Sequence, residues 1–137
     1  MNWQAEVLFD GAAAGTALRL TAPISFWGGG DPHSSAITLA SHPQRGVKIA
    51  GTLLVIPELI GSSSSSAILL ELMHAGLAPR ALILGHRDAI LPVGVLVARA
   101  MDWPGMPVLV LPDPPFQTGQ AMEIRPGGAI HSEDPHA

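Results

Sequence analysis

Residues 47–75 read VKIAGTLLVIPELIGSSSSSAILLELMHA, in which an apolar strand, a Gly-Ser turn and an amphipathic helix follow one another. The apolar run predicts the strand over Val47–Ile56, and helical spacing predicts the helix over Ala67–Ala75. Between them, Ile60–Ser66 opens the helix, so backbone N–H groups and several hydroxyls point to one place. Such a place suits a carboxylate or a phosphate, and it is a setting in which a serine oxygen can take a proton.

Shorter segments on both sides complete an order of strands, two strand–helix units and strands. The further predicted elements are strands at Trp3–Phe9, Gly15–Leu20, Ile37–Ala40, Arg80–Gly85 and Met106–Leu111, a helix at Leu91–Met101, and a hairpin of Gln120–Arg125 with Ala129–Ser132. Helices between continuous apolar strands predict an α/β fold whose mixed sheets have parallel pairing in the middle. We expect one domain over residues 1–137, with a frayed tail at 133–137.

The composition describes a chain with a real core and a surface poor in charge. Hydrophobic residues make up 47 % of the 137 residues, and only 13 % are charged, about half the usual fraction. A surface of this kind indicates coverage by a partner, although a compact monomer rich in Ala and Gly has the same composition.

Several classes of protein do not fit this chain. Its net charge is −4 and it has no basic cluster, so we expect no nucleic-acid partner. It has no cysteine, so it cannot form disulfides or hold an iron–sulfur cluster by thiolates. The first residues do not form a signal peptide and no apolar run reaches about 20 residues; we expect a soluble cytoplasmic protein with no membrane partner.

The serine run supplies the candidates for a reactive hydroxyl. Any of Ser64, Ser65 and Ser66 can cap the helix, which leaves Ser62 and Ser63 to face a cleft. Helix N–H groups and a nearby cation would make an alkoxide-like oxygen less costly there. Capping alone remains the alternative, because the run lacks a Gly-x-Ser-x-Gly elbow and an obvious His–Asp pair.

A second unusual segment, Ser25–Asp31, reads SFWGGGD. Its aromatic pair is typical of a fixed loop or an interface, and its glycines allow a close approach to a ligand. It does not follow the patterns of nucleotide-binding loops. The six histidines show no metal-ligand spacing, so we expect structural or surface roles for them.

Together these segments resemble the small subunit of the aconitase X family. The resemblance is carried by PISFWGGGDP at Pro23–Pro32, His42-Pro43, Gly51, Pro57, GSSxxS at Gly61–Ser66, Leu70-Glu71, Ala78-Pro79, Ala98 and Pro107-Val108, in one order. It covers the chain from Trp3 to Ser132. The Phe-Trp-Gly-Gly and Gly-Ser-Ser motifs are specific in combination, whereas either alone is not.

The resemblance implies a swivelling β/β/α fold, like the small domain of aconitase, and a hydro-lyase that removes water from a hydroxy acid. It makes Ser62 the proton acceptor, with substrate-binding positions at Ser63, Ser64, Gly61, Gly28 and Gly29. It also implies a large subunit that carries an iron or iron–sulfur centre, with no cofactor bound by this chain.

Two branches of the family compete for the substrate, cis-3-hydroxy-L-proline and phosphomevalonate. A chain rich in Ala, Gly, Pro and Arg with one lysine suggests a GC-rich bacterium, which favours the hydroxyproline reaction. Family members often carry Gly-Arg where this chain has Leu59-Ile60, and Thr-Gly where it has His33-Ser34. Both differences bear on the substrate more than on the fold.

A different class of function is a non-catalytic swivel module or a phosphohistidine swivel domain. The latter places a histidine shortly before an Ala-Arg-x-x-x-x-Pro stretch, which Ala98-Arg99 and Pro104 match. The expected histidine falls at about Val93, where no phosphoryl acceptor exists, so the hydro-lyase remains the preferred prediction.

Overall fold

The computed structural model describes residues 1–21, 36–37, 44, 46–58, 65–87, 91–103 and 105–132, with the backbone alone at 65–68 and 91–92. The strands within these ranges are β1 (Asn2–Gln4), β2 (Glu6–Phe9), β3 (Ala13–Arg19), β4 (Leu53–Ile56), β5 (Ala81–Leu84), β6 (Val108–Val110), β7 (Ala121–Arg125) and β8 (Ala129–His131). The helices are α1 (Ser65–Ala75) and α2 (Leu91–Ala100).

The strands form one sheet in the order β1-β8-β7-β3-β4-β5-β6-β2. Strands β3 to β6 run parallel to one another, and the remaining pairs are antiparallel. Each parallel strand is the sequence neighbour of the next, because a helix or a longer crossover returns the chain to the same end of the sheet. The predicted mixed sheet with parallel pairing in its middle is confirmed.

The chain near Ala5 brings the two ends of this sheet together. The sequence predicts one strand over Trp3–Phe9, and this prediction is wrong in one respect: the strand is broken at Ala5. The part before Ala5 pairs with β8 and the part after it pairs with β6, at opposite ends of the strand order. The Ala5 N–H donates to the carbonyl oxygen of Gly128 at 2.9 Å. The sheet is therefore curled, so that its two outermost strands, β1 and β2, are consecutive in the chain.

Strand β4 lies at the centre of the core and is buried on both faces. Leu54 and Ile56 pack towards the helices, in one cluster with α1 and α2. Leu53 and Val55 face the opposite way, in a second cluster that contains Phe116. A parallel strand inside a sheet is covered on both faces, so its alternate residues are buried in two different cores. The two cores lie between the β/β/α layers that the resemblance implied.

Two predicted boundaries on either side of the Gly-Ser segment differ from those in the structure, and several other elements differ from their predicted bounds by one or two residues. The strand predicted over Val47–Ile56 begins only at Leu53, because Gly51 has a φ of 71° and the Thr52 hydroxyl donates to the Ile49 carbonyl at 2.7 Å. These contacts make residues 49–52 a turn. Helix α1 begins at Ser65, two residues before its predicted start.

Candidate functional site

The carboxyl ends of the parallel strands β3, β4, β5 and β6 lie along one side of the sheet, which we call the carboxyl edge. The last residues of these strands are Arg19, Ile56, Leu84 and Val110. Ligands of parallel α/β sheets bind at such an edge. Along the chain, the glycine-rich segment follows β3 and the Gly-Ser segment follows β4, and both strands end at this edge.

The six predicted site residues themselves lie outside the residues that the structure describes. They are Gly28, Gly29, Gly61, Ser62, Ser63 and Ser64. The structure does describe the chain on both sides of the Gly-Ser segment, up to Glu58 and again from Ser65. The segment therefore connects the carboxyl end of β4 with the start of α1, whose first N–H groups lack partners within the helix.

The chain that enters the Gly-Ser segment is held firmly by β5. The Gly85 N–H donates to the Ile56 carbonyl at 2.9 Å. A Cβ atom at position 85 would lie 2.4 Å from the Pro57 carbonyl oxygen, so only glycine fits this contact. The ends of β4 and β5 are consequently packed tightly together at Pro57, the residue that follows β4.

Two exposed ion pairs lie on the carboxyl edge, and the sequence analysis missed both. His86 Nε2 lies 3.3 Å from Glu58 Oε1. The Arg87 guanidinium contacts both carboxylate oxygens of Glu6, with 2.9 Å between Nε and Oε2. The partners are 28 and 81 positions apart in the chain, so only the pairing of the strands brings them together. In each pair a nitrogen-bearing side chain lies against a carboxylate.

The chain at the end of β3 is also anchored. The Arg19 guanidinium donates to the carbonyl oxygens of Pro114 and Phe116, the latter at 3.1 Å. The Gln44 amide donates to the Arg19 carbonyl at 2.8 Å and accepts the Thr21 N–H at 2.9 Å. Because these contacts lie at the end of β3, they fix the direction in which the chain leaves that strand.

Each of the three described histidines contacts another side chain, whereas His33, His42 and His136 lie outside the described residues. His74 stacks on Trp103 with 4.4 Å between the ring centroids, His86 pairs with Glu58, and His131 contacts Asn2. Across the described ranges, no group of three His, Cys, Asp or Glu side chains is placed to hold a metal ion.

A cavity of about 320 Å³ lies away from the carboxyl edge, with Arg80 and Met106 among its lining residues. These residues precede β5 and β6, so the cavity belongs to the amino ends of the parallel strands. Among the described residues, its lining includes none of the strand ends at the carboxyl edge. None of the helices in the described residues has the length and apolar character needed to cross a membrane.

Comparison with known proteins agrees with this geometry. The family profile described as the aconitase X swivel domain matches residues 2–131. The chain belongs to the aconitase X swivel domain family. In addition, the crystal structure of Thermococcus kodakaraensis aconitase X in its holo-form superposes with a TM-score of 0.87 at 26% identity, covering 98% of this chain and 99% of that one. The aconitase-like swivelling fold is therefore confirmed.

Relatives in the aconitase X family carry two different names. The chain is 35% identical over 97% of its length to a cis-3-hydroxy-L-proline dehydratase of Hypocrea jecorina, and 39% identical over 77% of its length to one of Pseudomonas aeruginosa. It is 32% identical over 90% of its length to a phosphomevalonate dehydratase small subunit of Thermococcus gammatolerans, of which it covers 91%. The chain spans only 24% and 18% of the first two relatives, so in them the swivel domain is part of a much longer chain.

Proposed function

We propose that this protein is the small subunit of an aconitase X-type hydro-lyase that converts cis-3-hydroxy-L-proline to Δ1-pyrroline-2-carboxylate. The observation that carries the proposal is the family match over residues 2–131, together with relatives of that name at 35% and 39% identity. The α-proton and the 3-hydroxyl leave as one water molecule, and the resulting enamine tautomerises to the imine. All atoms of the substrate are thereby accounted for.

In this proposal the Ser62 oxygen, in its alkoxide form, accepts the α-proton and becomes a neutral hydroxyl. Its position in the chain supports the role, since it lies between the carboxyl end of β4 and the start of α1 at Ser65. The first N–H groups of α1 would stabilise negative charge that develops on the substrate carboxylate as the proton leaves. Backbone groups of Gly61, Ser63 and Ser64, with Gly28 and Gly29 from the neighbouring segment, are the proposed substrate contacts.

A large subunit is the proposed partner and completes the active site. Two relatives contain the swivel domain within a longer chain, whereas the Thermococcus gammatolerans relative is a separate small subunit. The iron or iron–sulfur centre that we expect on the large subunit would supply Lewis acidity towards the departing hydroxyl. This chain's own part is to hold the substrate carboxylate and to remove the proton.

The charges on the carboxyl edge support a substrate with little net charge. Among the residues described at this edge, His86 and Arg87 each have a carboxylate partner, and the Arg19 guanidinium donates to backbone carbonyls. A phosphorylated substrate with a further carboxylate would call for unpaired cations at its site. Phosphomevalonate remains the second candidate, because the separate small subunits that resemble this chain over nine tenths of their length carry that name.

The substrate is tested by assaying the purified two-subunit complex with both compounds. We expect Δ1-pyrroline-2-carboxylate to form from cis-3-hydroxy-L-proline and no dehydration of phosphomevalonate. Turnover of phosphomevalonate alone would transfer the proposal to the second candidate. A complex that turns over neither compound would contradict both.

A further inference from the structure

Helix α2 exposes an unusual number of apolar side chains. Among the described residues, the large hydrophobic side chains that are well exposed are Met1, Val47, Val93, Leu96 and Met101. Three of these five lie in α2 or directly after it, with exposed fractions of 45%, 56% and 53% for Val93, Leu96 and Met101. Half-buried Val97 falls between them at helical spacing, so the four side chains form one stripe, which we call the α2 stripe.

The α2 stripe is not the face that packs on the protein's own core. That face is formed by Val95 and Ala98, which are fully buried against α1 and the sheet. Arg99 does not add charge to the stripe either, because its guanidinium lies 5.0 Å from the centre of the Phe9 ring and donates to the Asp10 carbonyl at 2.9 Å. Helix α2 is therefore apolar on two sides, which is typical of a helix between two packed surfaces.

Helix α1 provides the contrast within the same fold. It buries Leu69 and Leu72 and presents Glu71 and His74 to solvent. This is the ordinary arrangement for a helix at a protein surface. Since both helices lie in the same layer, the exposed apolar side chains of α2 are a local feature and not a general property of the layer.

We infer that the α2 stripe is the surface on which the large subunit docks. The inference rests on the proposed function for the existence of that subunit. Its location follows from continuity with the carboxyl edge: α2 begins at Leu91, four positions after Arg87 on that edge, and Val93 lies in its first turn. A subunit that covers the edge to complete the active site extends directly onto this stripe.

The relatives also favour a large subunit over a second copy of this chain. In the Hypocrea jecorina and Pseudomonas aeruginosa proteins the matching region makes up 24% and 18% of the chain, so each swivel domain is joined to a much larger polypeptide. An exposed apolar stripe of this kind has the composition of the centre of a subunit interface, which is apolar and surrounded by a polar rim.

The test measures the affinity of the small subunit for the purified large subunit of the same genome, defined as the chain similar to the remaining part of the longer relatives. Leu96→Lys places a charge in the centre of the stripe, and we expect it to raise the Kd at least tenfold. Val93→Lys should act in the same direction. Ala12→Lys is the control, because Ala12 is exposed and directly precedes β3, at the opposite end of the parallel strands from the carboxyl edge.

Folding is checked on the isolated small subunit by thermal unfolding, where Leu96→Lys should match wild type because Leu96 is already 56% exposed. Equal affinities for Leu96→Lys and Ala12→Lys would overturn the inference. It would also be overturned if the isolated chain were a dimer that Leu96→Lys converted to a monomer, since the stripe would then bind a second copy.

Assembly and activity are read separately, so the two proposals can fail independently. If the wild-type complex dehydrates its substrate and Leu96→Lys assembles normally, the docking surface is wrong and the function stands. If Leu96→Lys weakens assembly of a complex that has no dehydratase activity, the docking surface stands and the function is wrong.

Discussion

Gly85 lies so close to Pro57 that any side chain at position 85 would collide with the Pro57 carbonyl oxygen, 2.4 Å from the place of its Cβ atom. This contact joins the end of β5 to the residue that follows β4. The Gly-Ser segment begins at Ile60, three positions after Pro57, so the contact fixes the chain that leads to it. Glycine at position 85 is therefore needed for the packing of β4 against β5, and the same contact holds the chain that leads to the proposed site.

The first prediction concerns this contact. Gly85→Ala should lower the free energy of unfolding by about 1–3 kcal/mol, because the methyl group overpacks against backbone that cannot move aside. Urea denaturation of the isolated chain measures the change. Gly105→Ala is the control, since a Cβ atom there would meet only the Arg99 side chain at an ordinary 3.8 Å. Equal stabilities for the two variants would show that the ends of β4 and β5 are not rigidly joined.

A second prediction concerns the anchor at the end of β3. Arg19→Met should cost about 1–3 kcal/mol of stability, because it leaves the partly buried carbonyl oxygens of Pro114 and Phe116 without their donor. Arg125→Met should cost no more than about 1 kcal/mol, since Arg125 is exposed and pairs with an exposed Glu123. Chemical denaturation compares the two, and an Arg19 variant as stable as the Arg125 variant would contradict the anchoring role.

Asp10 leads to a prediction about pH. Its carboxylate accepts the N–H groups of Gly127 at 2.8 Å and Gly11 at 2.9 Å, and these bonds hold its pKa below the ordinary value of 3.8. Because the pKa is lower in the folded state, the stabilisation is fully present above 3.8 and is lost as the pH falls through the folded-state pKa.

Asp10→Asn removes this pH dependence while keeping an oxygen that can accept the same bonds. We expect wild type to have the higher Tm at neutral pH, and the difference to shrink below pH 3.8. Thermal unfolding of both proteins across this range makes the measurement. A Tm difference that stays constant throughout would exclude the two backbone bonds as the cause.

The sequence predicts the central part of this fold well, because the information is local there. Leu53–Ile56 is a continuous apolar run, which is typical of a parallel strand with both faces covered, and the structure buries all four residues. The break at Ala5 could not be predicted in this way, because it depends on a hydrogen bond to Gly128 at the other end of the chain. Gly51 is a local signal for the turn before β4, but the apolar residues on both sides of it favoured the prediction of one continuous strand.

The candidate site was predictable only in part for the same reason. The sequence places its two segments after predicted strands, and the structure confirms that β3 and β4 end at one edge. The pairs His86–Glu58 and Arg87–Glu6 arise from the alignment of strands that are distant in the chain. No spacing rule in a single sequence connects these residues. Roles for Ser62 and its neighbours remain predictions from the resemblance.

The central claim, that Ser62 removes the α-proton, is tested most directly by the turnover of cis-3-hydroxy-L-proline in a complex assembled with Ser62→Ala. The account predicts that turnover falls by roughly a hundred- to ten-thousand-fold, with subunit affinity unchanged. Thr16→Ala, which removes an exposed hydroxyl from β3, should leave turnover as it is. A Ser62→Ala complex that turns over within a few-fold of wild type would contradict the account.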